Sequence, residues 1–166
     1  TDLYHPPQDP DDQIDLATVL ALDGFDLRGV ILDNTQRFLE AAPEGFDIAR
    51  NPGFIPVEQI GHLMGQKIPV AIGPTNPLAN PRDTAEDQPL PEQAGIEMLL
   101  DILDTSRDPV IITVVGSARV VTAAFNRNPK LMLAKTRAVV VNAGSTGGPK
   151  TEWNVGLDLH AFVGLW

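Results

Sequence analysis

Four segments of the chain are apolar almost without interruption: FDLRGVILD (25–33), KIPVAIG (67–73), DPVIITVVG (108–116) and TRAVVVNAG (136–144). A strand with one wet face alternates apolar and polar residues, whereas a strand covered on both faces has no need to. Such segments belong to a parallel sheet with helices packed on both sides. The intervening sequence supplies the helices. DQIDLATVLAL (12–22), TQRFLEAA (35–42), VEQIGHLM (57–64) and SARVVTAAFNR (117–127) all read as helical. PEQAGIEMLLDIL sets Ile96, Leu99, Leu100 and Leu103 on one helical face. A further helix is expected to start near Leu157. PTNPLANPRDTAEDQPLP (74–91) carries five prolines and reads as a long loop, of a length more often functional or mobile than incidental. The expected fold class is therefore α/β, a mostly parallel sheet with helices on both faces. Residues 1–166 form one such domain.

Charge and composition exclude several functions. The net charge is −10, from 22 acids against 12 bases, and nucleic acids and anionic membranes both select basic surfaces. No nucleic-acid or membrane partner is expected, and no apolar stretch reaches the ~18 residues of a membrane span. Without cysteine there is no disulfide, zinc–thiolate site or thiol nucleophile.

In open α/β sheets ligands bind beyond the carboxyl ends of the strands. The polar residues collect there: Asp33-Asn34, Thr75-Asn76, Gly116-Ser117 and Asn142. Ser117 reads as a helix cap, since no G-x-S-x-G pattern surrounds it. The opening TDLYHPPQDPDD crowds Asp2, Asp9, Asp11 and Asp12 beside the first helix. Clustered carboxylates raise one another's pKa or bind a cation, and Ca²⁺ takes oxygen ligands. A solvated acidic loop capping the helix is the competing reading. In TEWN, Glu152 and Asn154 stand two residues apart, so that in an extended loop both would face one way and suit a sugar. Local turn chemistry is the alternative. His62 reads as a surface or core histidine, and His5 as a residue that could line a site.

In order, these pieces resemble the inosine–uridine-preferring nucleoside hydrolase family. Thr1-Asp2 resembles the end of its first strand, and Asp11-Asp12 the acidic pair before its first helix. DLRGVILDN and IPVAIG resemble its second and third strands. PVIITVVGSARVVTAAFNRNP is similar to its strand, turn and helix, AVVVNAG to the next strand, and TEWNVGLD to its E-x-N-x-x-x-D segment. The resemblance implies a Rossmann-like open sheet and a ribohydrolase that cleaves an N-glycosidic bond with bound Ca²⁺. It implies Asp2, Asp12 and the Arg119 carbonyl as metal ligands, with Asp2 also orienting or deprotonating the attacking water. It implies Asp11, Asn34 (or Gln36), Glu152 and Asn154 as holders of the sugar hydroxyls, with Asp11 counted among the catalytic residues. The partner is a small nucleoside or riboside, and a homo-oligomer is compatible. The compartment is not fixed; the reading leans cytoplasmic, with secreted or periplasmic placement left open.

Two features differ from the family pattern. Eight residues, LYHPPQDP, separate Asp2 from Asp11, where the family has about three. GSARV stands where the family has GPLTN, which puts Arg119 at a threonine position. They motivate a second expectation: a non-catalytic or altered-specificity sugar-binding protein on the same fold, with Arg119 entering the pocket in place of the metal. Family members are also longer. The chain is therefore expected to be part of a larger domain, with a strand before Thr1 and a later half that supplies a further Asp.

Overall fold

The structure is a computed structural model that describes residues 1–7, 10–35, 39, 51–148 and 150–166. The elements run α1 (Asp11–Ala21), β1 (Val30–Leu32), α2 (Phe54–Leu63), β2 (Val70–Ile72), α3 (Leu90–Thr105), β3 (Val110–Val114), α4 (Arg119–Arg127), α5 (Pro129–Lys135), β4 (Thr136–Val141), α6 (Trp153–Leu157) and α7 (Leu159–Gly164). The expected helix at 35–42 falls almost wholly outside the described residues.

The class is α/β, and the strand pairs are parallel. β1 pairs with β2 in the register Val30↔Val70 to Leu32↔Ile72. β3 pairs with β4, with a register shift between Val110 and Ile111. The four strands form two separate two-stranded sheets rather than one continuous sheet. β1 is also shorter than the apolar run that suggested it, because only Val30–Leu32 find a ladder partner in β2.

Helices pack on both faces of the β1–β2 pair, but the β3–β4 pair departs from the expectation: Ile111, Val139 and Val140 are exposed, so these apolar strands are not covered on both faces. On one face Leu16 and Leu20 of α1 and Val57 of α2 meet Val30, Leu32 and Ile72. On the other, Ile96, Leu99 and Leu103 of α3 meet Val114, Val120 and Val121. Each such buried aliphatic side chain contributes roughly 1.5–3 kcal/mol relative to exposure. Gly95 lets α3 approach β2: a Cβ there would lie 2.7 Å from the Ile72 carbonyl oxygen. Gly65, at φ 66°, follows Met64, the C-cap of α2, in the left-handed conformation common at helix ends.

Other expectations change in detail. The 74–91 loop contains no helix or strand before Leu90, but it is pinned. Asp83 accepts from the Ala79 and Ala85 amides at 2.7 and 2.8 Å, and Asn126 of α4 donates to the carbonyls of Pro81 and Asp83. α5 was not anticipated; Asn128 caps it by accepting from the Leu131 amide. Neither Asp12 nor Ser117 is an N-cap. Pro10 precedes α1 without a side-chain cap, and Ala118, at φ 63°, precedes α4. Among the described residues no helix is long and apolar enough to cross a membrane.

Candidate active site

At the carboxyl ends of the strands a cavity of about 460 Å³ opens. Asp2, Asp11, Asp12, Asn34, Glu152 and Asn154 all line it. They come from three stretches far apart in sequence: the opening segment with α1, the end of β1, and the start of α6. Asn142, Tyr4 and Trp153 line it as well. Trp153 is 54% exposed and stands between the two sequence-predicted polar residues of TEWN; its place in that tetrapeptide was the available signal. His5 and His62 are exposed and do not line the cavity.

The opening segment is held against β1. The Thr1 amino group donates to the Ile31 carbonyl at 3.0 Å, and the Asp33 amide donates to the Thr1 carbonyl at 2.9 Å. Asn34 donates to the carbonyls of Asp2 and Leu3, both at 3.0 Å. These bonds fix Asp2 beside Asp12, which itself accepts from the Thr1 hydroxyl at 2.6 Å. The Asp2 carboxyl is pushed up to about 7 by burial, then by the charges of Asp33 and Asp12, against the opposing Thr1 amino group. Burial also raises Asp12. Two carboxylates in this state call for a proton or a cation between them. The Asn34 Oδ1 is buried without a hydrogen-bond partner among the described residues.

Glu152 and Asn154 do not sit in an extended loop. Glu152 is the N-cap of α6 and accepts from the amides of Gly144, Asn154 and Val155 at 2.9, 2.9 and 3.1 Å. Burial opposes its ionisation, but these amides and that of Trp153 outweigh it and hold the carboxyl below its ordinary value. Asn154 lies in the first turn of the helix and donates to the Asn142 carbonyl at 2.8 Å.

Arg119 does not line the cavity. Its side chain is fully buried and donates to the Pro74 carbonyl at 2.7 Å and to the Thr35 hydroxyl. Its Nε lies 3.5 Å from Asp158, an ion pair too long for a strong hydrogen bond. Asp33, also buried, accepts from the amide and hydroxyl of Ser117 at 2.9 and 2.7 Å. Burial alone would raise Asp33; the Thr1 amino group, Arg119 and Ser117 outweigh it and hold the carboxyl below its ordinary value.

The donor set suits a hard cation in kind, since carboxylate and amide oxygens are what Ca²⁺ takes. Among the described residues, however, no three acidic or histidine side chains form a group able to hold a metal. Asp2 and Asp12 are a pair, and further ligands would have to be carbonyls or waters.

No protein-family model matches the chain, and the search of curated proteins returned no match.

Proposed function

We propose that this cavity is the active site of a hydrolase that cleaves the N-glycosidic bond of a nucleoside or related riboside. One observation carries the reading: acids and amides from three distant stretches line a single cavity, two of the carboxylates in contact. The parallel strand pairs, with polar residues at their carboxyl ends, support the finer fold reading of an open Rossmann-like sheet of the nucleoside-hydrolase kind.

Asp2 and Asp12 would hold the Ca²⁺, with waters or carbonyls that line the cavity completing the set; the Arg119 carbonyl, outside the cavity lining, is not among them. When bound, the ion would supply positive charge and lower the pKa of a water. Asp2 is assigned to orient that water and take its proton. Asp11, Asn34, Glu152 and Asn154 are assigned to the sugar. Carboxylates accept from hydroxyls, whereas an amide both donates and accepts, so the set recognises a polyhydroxylated ring. The carboxylates also favour the oxocarbenium-like charge that grows on the sugar as the base leaves.

The test is release of free base or ribose from a panel of purine and pyrimidine ribosides. Turnover should disappear with a chelator and return with Ca²⁺. No turnover on any riboside would reject the substrate assignment.

A further inference from the structure

We propose that the site selects ribosides whose base is a positively charged aromatic ring, such as a pyridinium. The inference rests on the hydrolase reading above and names its substrate class. Four carboxyl groups line the cavity, those of Asp2, Asp11, Asp12 and Glu152. No arginine, lysine or histidine stands among the described residues that line it. The Arg119 guanidinium is bonded to Pro74 and Thr35 instead. Four carboxyl groups outnumber the two charges that a Ca²⁺ ion brings, so the excess stays negative.

The neutral groups of the lining have the same bias. The Asn34 amide nitrogen is spent on the Asp2 and Leu3 carbonyls, and that of Gln13 on the Tyr4 carbonyl at 3.2 Å. The oxygens left over, Asn34 Oδ1 and Gln13 Oε1, are buried without a hydrogen-bond partner among the described residues. Asn34 is itself only 2% exposed. Acceptors short of donors favour a ligand that brings positive charge. Tyr4 and Trp153 line the same space. An aromatic face attracts a cation, and tryptophan does so most strongly. A flat cationic ring can stack there while the acids balance its charge. A 5′-phosphate meets the opposite field and is disfavoured.

The reaction suits such a substrate. The water oxygen bonds to C1′ as the C1′–N bond breaks, and the water proton goes to Asp2, as assigned above. The electron pair of the broken bond stays on the ring nitrogen and cancels its charge. The base therefore leaves neutral, with no proton supplied to it. The positive charge passes from the base to the sugar ring, where the same carboxylates meet it. The neutral product is no longer held by the field that drew the substrate in.

The test has two arms. Calorimetric titration compares 1-methylnicotinamide, a permanent cation, with neutral nicotinamide, and needs no turnover. The cation should bind about tenfold or more tightly, and the gap should narrow at high salt. Trp153→Leu should reduce it by about three- to tenfold, and Trp153→Phe should keep most of it. Steady-state kinetics then compares nicotinamide riboside with inosine and uridine. A cationic base is the better leaving group in any enzyme, so KM rather than kcat decides: it should be lowest for nicotinamide riboside and should rise in Trp153→Leu. Equal affinity for the two nicotinamides, or a gap that ignores both salt and Trp153→Leu, would overturn the proposal. Cleavage of inosine or uridine with the lower KM would also overturn it and would leave the hydrolase reading intact. Cation-selective binding without turnover of any riboside would reject the hydrolase reading and keep the selectivity.

Discussion

Asp33 and Asp2 stand at the same end of the fold, yet they are treated in opposite ways. Asp33 is enclosed by donors: both polar groups of Ser117, the Thr1 amino group and the Arg119 charge. Its carboxyl is held ionised although it is buried. Asp2 is also largely removed from water, but its neighbours include the carboxylates of Asp33 and Asp12, and its pKa rises to about 7. The contrast extends beyond the two residues. Glu92 accepts from the amide and hydroxyl of Thr75 at 2.7 and 2.8 Å, and Asp158 from the amides of Leu78 and Ala161 at 2.7 and 2.9 Å. One group of acids is neutralised from within and serves the fold. The other is left short of positive charge beside an open cavity, which is what a site for an external cation requires.

The largest expected effect is on the closed side. Arg119→Met keeps the volume but removes the cation among Asp33, Asp158, Asp2 and Glu92. Leaving buried acids uncompensated costs about 3–5 kcal/mol. For a chain of this size that lowers Tm by roughly 10 °C. Thermal and denaturant unfolding would measure it. A loss below about 1 kcal/mol would mean the acids are not held by this charge, and the distinction between the two groups would collapse.

Ser117→Ala probes the same network more gently. It removes the hydroxyl donor 2.7 Å from Asp33 and leaves the Ser117 amide in place. Hydrogen bonds to charged groups are worth about 1.5–3 kcal/mol, so a loss in that range is expected by denaturant titration. A neutral result would show that the amide and Arg119 suffice.

The sheet-forming segments and most helices were legible because apolar runs such as DPVIITVVG mark strands, although β3 is covered on one face only, with Ile111 and Thr113 exposed. The acidic opening and TEWN were legible as polar clusters, and they do line one cavity. Three things were not legible. Arg119 looked like a candidate for the pocket, but its guanidinium is bonded elsewhere, to Pro74 and Thr35; a sequence does not show which way a long side chain turns. The sheet is split, because strand pairing depends on which edges meet rather than on the apolar content of each strand. α5 and α6, of seven and five residues, are short helices capped by Asn128 and Glu152, too brief for apolar periodicity to reveal.

Asp12→Asn carries the comparison to the open side, where the stability effect should be near zero or slightly favourable. The amide can still accept from the Thr1 hydroxyl, and one of two crowded negative charges disappears. Ca²⁺ binding, followed by calorimetric titration, should nevertheless be lost, because a charged oxygen ligand has gone. A clear loss of stability with unchanged Ca²⁺ affinity would move Asp12 into the structural group.

Glu152 sharpens the comparison most finely, since it lines the open cavity but is bonded like the closed acids. Its carboxyl takes amides from Gly144, Asn154 and Val155, and its pKa is held below the ordinary glutamate value. A carboxyl with a lowered folded pKa stabilises the fold above its unfolded pKa, and that contribution is lost as pH falls through the folded value. Glu152→Gln keeps one acceptor oxygen and has no charge to titrate. The variant should therefore melt slightly below the parent at pH 7, and the gap should close as pH falls from about 4.5 towards 3. Because this group is only partly buried, the effect should be smaller than those of Arg119→Met and Ser117→Ala. Amide exchange at Gly144 and Val155 gives the local readout, faster in the variant at pH 7 and equal in the two proteins in acid once scaled for intrinsic rates. A difference that persists undiminished at pH 3 would mean that shape rather than charge holds the start of α6. Glu152 would then have its charge free for the sugar, and would belong with Asp2 and Asp12.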